Sequence, residues 1–350
     1  MIEIDGSMGE GGGQLLRYSV ALSVLLGKNL KIYNIRAKRS NPGLRPQHLT
    51  AVKTIASLAK AEVEGLKIGS KVVVIKPRQK PKGGKLSIDI GTAGSISLLL
   101  QAILPVLFFA KENSEVVIKG GTTVKWAPPV PYMQHVLVKL LKFFGAHAEI
   151  ELIRRGFYPR GGGIVKARVF KIDFLRSVNM KQFSFAKEIR GISYVANLPV
   201  HIAKRQAIAA ENVLRKTFPQ IPLRIDIDHH TPAIGKGTGI VLWAVTDQGI
   251  LGADAIGEIG KRAEVVGEEA AKKLTDELKM RAAVDEHALD NLIIYMSLAE
   301  GRSRIYARRL TSHAETALKL CKTITGANYK IEKANDGVIV EIEGIGLKSF

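Results

Sequence analysis

Residues 11–27, GGGQLLRYSVALSVLLG, read as a glycine cluster that opens an apolar helix, and the order of the elements after it decides the fold. LKIYNIRA (30–37) has the look of a strand, HLTAVKTIASLAKA (48–61) of a helix, and AEVEGLKI (61–68) with KVVVIKP (71–77) of a strand pair. The succession then returns. GSISLLLQAILPVLFFA (94–110), EVVIKGG (115–121), PYMQHVLVKLLKFFGA (131–146), AEIELI (148–153) and GGIVKARVF (162–170) repeat the plan. A third pass runs through EHALDNLIIYMSLAEG (286–301), SRIYARRL (303–310), HAETALKLCKTITGA (313–327), NYKIEKA (328–334) and GVIVEIEGI (337–345). Short strands, IEID (2–5) and LSIDIG (86–91), precede the first two passes. The fold class is therefore α+β: three repeated β-α-β-α-β-β units, each a four-stranded sheet with helices on one face, packed around a shared axis.

Residues 181–280 break the repeat. They read as a strand (189–198), a helix (201–218), three strands (223–229, 239–245, 249–257) and a helix (263–280), an order different from that of the units. This stretch is expected to be a small inserted α/β domain lying between the second and third units. Residues 1–180 and 281–350 then form one body of three units. His229 and His230, at a strand end, are expected to point to opposite sides and hold no metal.

The chain of 350 residues carries a net charge of +20. Residues 1–180 hold 28 lysines and arginines against 11 acids, while 181–280 hold 14 against 12 and 281–350 hold 10 against 9. A localised excess of this kind points to a polyanion on the first half, most simply nucleic acid; a lysine-rich solvated surface is the plainer alternative. The single cysteine, Cys321, sits among the apolar positions of a helix and excludes a Cys-based zinc site or an internal disulfide. No apolar run is long enough to span a bilayer, and no signal peptide opens the chain, so a soluble cytoplasmic protein is expected, with no membrane partner.

DGSMGEGGGQLLRY (5–18) brings backbone N–H groups to a helix N-terminus, where phosphate commonly binds. Known nucleotide loops do not account for it: GxxxxGK[ST] is absent, GxGxxG fails at Gln14, and Gly235-Lys236-Gly237 lacks the following Ser or Thr. The repeats align polar residues. His48 and His313 each open the second helix of a unit, while Glu10 with Gln14, Gln101, and His287 with Asp290 fall near the first helices. A histidine at a helix start is most often a cap or merely exposed, but two at equivalent places beside the glycine loop make a cleft.

The motifs DGSMGEGGGQLLR, IRAKRSNPGLRPQHL, GTAGSISLLLQAILP, GGTTVKWAPP, GFYPRGGG, EHALDNL and TSHAETAL together resemble the RNA 3′-terminal phosphate cyclase family over essentially the whole chain. The resemblance implies an ATP-dependent enzyme in which a histidine, here His313, is adenylated with loss of pyrophosphate. AMP then passes to a 3′-terminal phosphate of RNA, and the neighbouring 2′-OH displaces it to leave a 2′,3′-cyclic phosphate. It also implies nucleotide contacts from Gln101, His287, Ala288, Leu289, Asp290, Asn291 and Pro128, with Pro129 beside it. Phosphate or RNA would be held by Gln14, Arg17, Arg36, Arg39, Gln47 and His48, and a divalent metal (Mg or Mn) by Glu10. His287 stands where the family often has an aromatic residue stacking on adenine. A cyclase-like, non-catalytic RNA-binding protein of ribosome assembly is the alternative; it should lack the TSHAETAL histidine, which is present. The physiological RNA and the oligomeric state, a homo-oligomer among the choices, stay open.

Overall fold

Leu30 and Ile32 alternate with half-buried neighbours, as do Val73 and Ile75, so each strand turns one face inward. In the computed structural model, which describes residues 1–334 and 336–349, these strands belong to the first of three alike units. It runs β1 (Ile2–Asp5), α1 (Gly13–Leu26), β2 (Leu30–Tyr33), α2 (Pro46–Leu58), β3 (Glu62–Glu64) and β4 (Val73–Lys76), with sheet order β1-β2-β4-β3. β1 and β2 are parallel, so the chain must cross over between them, and α1 is that crossover; β2, β4 and β3 pair antiparallel.

The second unit keeps the same plan. It comprises β5 (Gly84–Asp89), α3 (Ile96–Phe108), β6 (Ser114–Gly120), a second helical run, β7 (His147–Arg154) and β8 (Gly163–Phe170), ordered β5-β6-β8-β7. The helical run begins as α4 (Val130–Tyr132), widens to a π-helix over Met133–Leu137, and returns as α5 (Val138–Leu141) before a 3-10 turn over Lys142–Phe144. A third unit opens with β9 (Asn179–Met180). It then stops, and β10 (Ala186–Ala196), α6 (His201–Thr217), β11 (Leu223–Asp228), β12 (Gly237–Thr246), β13 (Ile250–Ile256) and α7 (Ala263–Lys279) build a separate sheet, β11-β10-β12-β13. The unit resumes with α8 (Glu286–Leu298), β14 (Glu300–Ala307), α9 (Ser312–Thr325), β15 (Asn328–Ala334) and β16 (Gly337–Ile345), in the order β9-β14-β16-β15.

β9 pairs parallel with β14 as β1 does with β2. The 181–280 segment therefore interrupts the crossover of the third unit, and does not lie between the second and third as the sequence led us to expect. A leading strand of two residues carries no periodicity to read. The histidine pair also corrects an expectation: the His229 and His230 rings lie together, 3.7 Å between centroids, on the exposed surface after β11. No group of three or more metal-ligating side chains is present among the described residues.

The first helices of the units make the axis. α1 is buried at every position from Leu15 to Leu25, α3 at nearly every position, and α8 from Ala288 to Leu298. A helix apolar on all sides can only be covered by other elements, and α1 packs on α3 while α3 packs on α8. The 181–280 segment has its own small core, including Leu214, Leu242, Val266 and Leu274. It is joined to the body through Asp285, which accepts from Tyr132 Oη and the Gly252 backbone N–H, each at 2.8 Å, while capping α8. His135, in the π-turn, stacks on Trp243 at 4.2 Å. No helix among the described residues is long and apolar enough to cross a membrane.

Candidate functional site

The glycine loop between β1 and α1 brings Glu10 to the start of α9. Thr311 caps that helix by accepting from Ala314 N, which leaves Ser312 and His313 in its first turn. His313 Nε2 lies 3.2 Å from Glu10 Oε2, and Ser312 Oγ donates to the other carboxylate oxygen. Arg39 reaches the same carboxylate at 3.5 Å, and Lys38 Nζ donates to the Gly9 carbonyl at 2.7 Å. The loop tolerates no side chain at two points: a Cβ on Gly9 would strike Thr316 Oγ1, and one on Gly13 would strike His48 Nε2. At Gly9, φ is also +60°.

The helix N-termini around the loop differ. α8 and α9 are capped by Asp285 and Thr311, whereas α1 and α2 have no side-chain cap and no acidic residue in their first turns. With no cap or acidic residue to offset them, the dipoles of these two ends leave an electropositive region. Into it are buried Arg17, 7 % exposed with Nε unpartnered, and His48, 5 % exposed with Nδ1 unpartnered. Burial lowers the Arg17 guanidinium to about 10. Burial, aided by Arg17, Arg36 and Arg45, pushes His48 down to about 3, so its ring is neutral at pH 7. Two uncapped helix ends and a buried guanidinium with no facing carboxylate leave this region without a counter-charge of its own, which is the electrostatics an anion requires.

Asp290 lies beside this region. Its backbone carbonyl accepts from Tyr18 Oη at 3.0 Å and Gln14 Nε2 at 3.5 Å, and its carboxylate accepts from Thr311 Oγ1 at 2.5 Å. Burial pushes the Asp290 carboxyl up to about 7. Gln14 Oε1 is buried without a partner. His313 is lowered from 6.5, burial outweighing the opposing pull of Glu10, so the ring is neutral at physiological pH.

The structure thus gathers Glu10, Gln14, Arg17, Arg39, His48, Asp290 and His313 around one cleft. Other expected residues have different employment. Arg36 Nη1 donates to the Asn41 and Gly43 carbonyls at 2.6 and 3.0 Å, tying its own loop, and Gln47 Oε1 accepts from Ser95 N at 3.0 Å. Ala288 and Leu289 have fully buried side chains. Asn291 Nδ2 donates to the His287 carbonyl at 2.6 Å, within α8. His287 is exposed, Pro128 is half-buried, and Gln101 is buried on α3. Four neighbours escaped the reading of the sequence: Lys38, Arg45, Thr311 and Ser312. All four stand inside the family-like motifs, but nothing in their spacing marks them.

A sequence profile described as RTC, RNA 3′-terminal phosphate cyclase, matches residues 8–331. The chain belongs to the RNA 3′-terminal phosphate cyclase family. It is 47 % identical over 346 residues to the RNA 3′-terminal phosphate cyclase of Pyrobaculum aerophilum, covering 99 % of both chains. Its identity to the protein of that name from Hyperthermus butylicus is 48 % over 357 residues, again 99 % of each, and to that from Pyrococcus furiosus 44 % over 332 residues, 95 % of each. Among solved structures, the enolpyruvyl transferase NikO from Streptomyces tendae aligns with 99 % of this chain and 49 % of its own at 9 % identity and a TM-score of 0.40, too slight a likeness to bear weight. With the family's relatives matched end to end, the cleft at the ends of α1, α2, α8 and α9 is the place to seek its chemistry.

Proposed function

We propose that the protein converts an RNA 3′-terminal phosphate to a 2′,3′-cyclic phosphate with ATP as co-substrate, by way of adenylated His313. The observation that carries this reading is a neutral imidazole held by Glu10 at the rim of a pocket whose buried Arg17 and His48 have no anionic partner. Neutral nitrogen is the nucleophilic form. Attack by His313 on the α-phosphorus would form a P–N bond and break the bond to pyrophosphate, whose charge Arg17, Arg39 and the uncapped ends of α1 and α2 would receive. An oxygen of the RNA 3′-phosphate then attacks that phosphorus, breaking the P–N bond and returning a free histidine. In the last step the 2′-OH attacks the 3′-phosphorus and AMP leaves; the two groups share one ribose, so little more than positioning is required, effective molarities of order 10⁵ M being common.

The residues present fit a divalent cation only in part. Glu10 is a single carboxylate, and no group of three or more ligating side chains accompanies it among the described residues, so such an ion would be shared with the triphosphate. When bound, it would offset phosphate charge beside the Glu10 carboxylate. Asp290 and His287, at the head of α8, would face the nucleoside, with Gln101 and Pro128 as further contacts. The 181–280 segment contributes no residue to this set, and we assign catalysis to the body of three units.

Intact-mass measurement after incubation with ATP and a divalent cation tests the proposal. Wild-type protein is expected to gain one adenylate, which is lost on adding 3′-phosphorylated RNA, and His313→Ala to gain none. An adenylate that persists in the His313→Ala variant would overturn the assignment.

A further inference from the structure

Trp126 is 95 % exposed and adopts φ +67°, a backbone conformation that a bulky side chain rarely takes. The second tryptophan, Trp243, is 8 % exposed, as is usual for so large an apolar surface. Lys125, next to Trp126, is paired with Glu258 at 2.8 Å, which fastens this turn to the 181–280 segment. A second aromatic stands nearby. Tyr158 is 79 % exposed, and Phe157 before it bridges Thr123 in parallel, so the turns bearing Trp126 and Tyr158 run side by side in the same direction. Three residues on one side and one on the other put their Cα atoms within about 20 Å of each other.

These turns are linked by packing to the segment that carries His48. A Cβ on Gly161 would lie 2.9 Å from Ala93 Cα, and one on Gly94 would lie 3.1 Å from Gln47 Cβ, so the 156–163 turn packs on the 91–94 loop and that loop on the residue before His48. Exposed Lys125, Arg160 and Lys236 line the same region. Ile234 of the 181–280 segment packs over Gly162 and remains 47 % exposed. Bare aromatic faces flanked by cations are what a single strand requires, since every base has a π-face and every linkage a charge.

We propose that Trp126 and Tyr158 form a stacking platform for the nucleobases upstream of the RNA 3′-phosphate, with the terminal phosphate directed to the Arg17–His48 pocket. This rests on the function proposed above. It makes these two residues determinants of RNA affinity and gives the 181–280 segment a part in the substrate surface, as the wall carrying Glu258, Ile234 and Lys236.

The test uses the full chain with Trp126→Ala, Tyr158→Ala and the conservative Trp126→Phe, and a 3′-phosphorylated hexaribonucleotide as probe. In Trp243→Phe protein, whose remaining tryptophan is Trp126, the RNA is expected to quench the fluorescence. Each alanine variant is expected to raise KM for cyclisation about tenfold with kcat changed less than twofold, Trp126→Phe should restore most of the loss, and abasic residues upstream in the RNA should abolish the difference between wild type and variants. Adenylation of His313 by ATP alone should be the same in all of them. Unchanged KM and absent quenching would overturn the platform while wild-type adenylation still supported the function; a defect confined to adenylation would place Trp126 at the nucleotide and equally overturn it. Should wild-type protein fail to adenylate at all, the function reading falls, and the fluorescence titration still decides whether RNA stacks here.

Discussion

Replacing Arg17 with Met should make the ligand-free protein more stable. The guanidinium is buried beside His48, with no carboxylate facing it and its Nε unpartnered. Burial lowers it from 12.5 to about 10. A base whose folded value lies below its unfolded one remains charged at neutral pH at the expense of the fold, and the strain is relieved only as pH rises from about 10 through 12.5. At pH 7 this amounts to about 3 kcal/mol. Methionine has a similar length and no charge, so the variant should recover most of it. Unfolding entropy of about 2.1 cal/mol/K per residue makes that a rise of roughly 4 °C in Tm. The assay is calorimetric melting in buffer free of phosphate and sulfate, repeated with pyrophosphate. Wild type should gain about 2.7 kcal/mol at a pyrophosphate concentration a hundred times Kd, and the variant much less. A variant that melts several degrees below wild type without anions, or that gains as much from pyrophosphate, would show that Arg17 is satisfied within the fold and that the pocket is not an anion site.

Glu10→Gln keeps the shape and removes the charge beside His313 and Arg39; adenylation should fall at least about tenfold at limiting divalent cation and recover in part as the ion is raised. Identical cation titrations of variant and wild type would remove Glu10 from that role. Because His313 lies below its ordinary 6.5, the nucleophile stays neutral down to that pH and the acid limb of single-turnover adenylation should fall below 6.5. An acid limb near pH 7 that disappears in Asp290→Asn would assign the titration to Asp290 instead. Asp285→Ala strips partners from Tyr132, Gly252 and the first turn of α8, and should cost about 3 to 5 kcal/mol in urea unfolding. A loss under about 1 kcal/mol would mean that water or rearrangement satisfies those groups.

The repeat was legible because helix and strand periods are local properties, visible in fourteen-residue stretches such as α1 and α9. The structure gathers part of the expected set of residues into one cleft, and two of the others have hydrogen bonds of their own elsewhere. Arg36 and Gln47 have the chemistry to hold phosphate, but their hydrogen bonds go to Asn41, Gly43 and Ser95, partners that a sequence does not display. The same holds for the histidine pair after β11. Alternation along a strand predicts opposite directions, and it lapses once the strand has ended at Asp228.

From the order of its residues alone, this chain determined three units of one plan, a foreign segment of about domain size, a basic first half, and a histidine and a glutamate set at the starts of helices. Each arises from spacing and composition, which act between near neighbours. The tertiary structure decided what depends on distance across the chain. It placed the foreign segment inside the third crossover by pairing the two-residue β9 with β14. It set Glu10 against His313, 303 positions apart in sequence, by converging helix ends. It also left Arg17 and His48 buried without a counter-charge, because whether a cation has a partner is settled only when every other element has been packed around it.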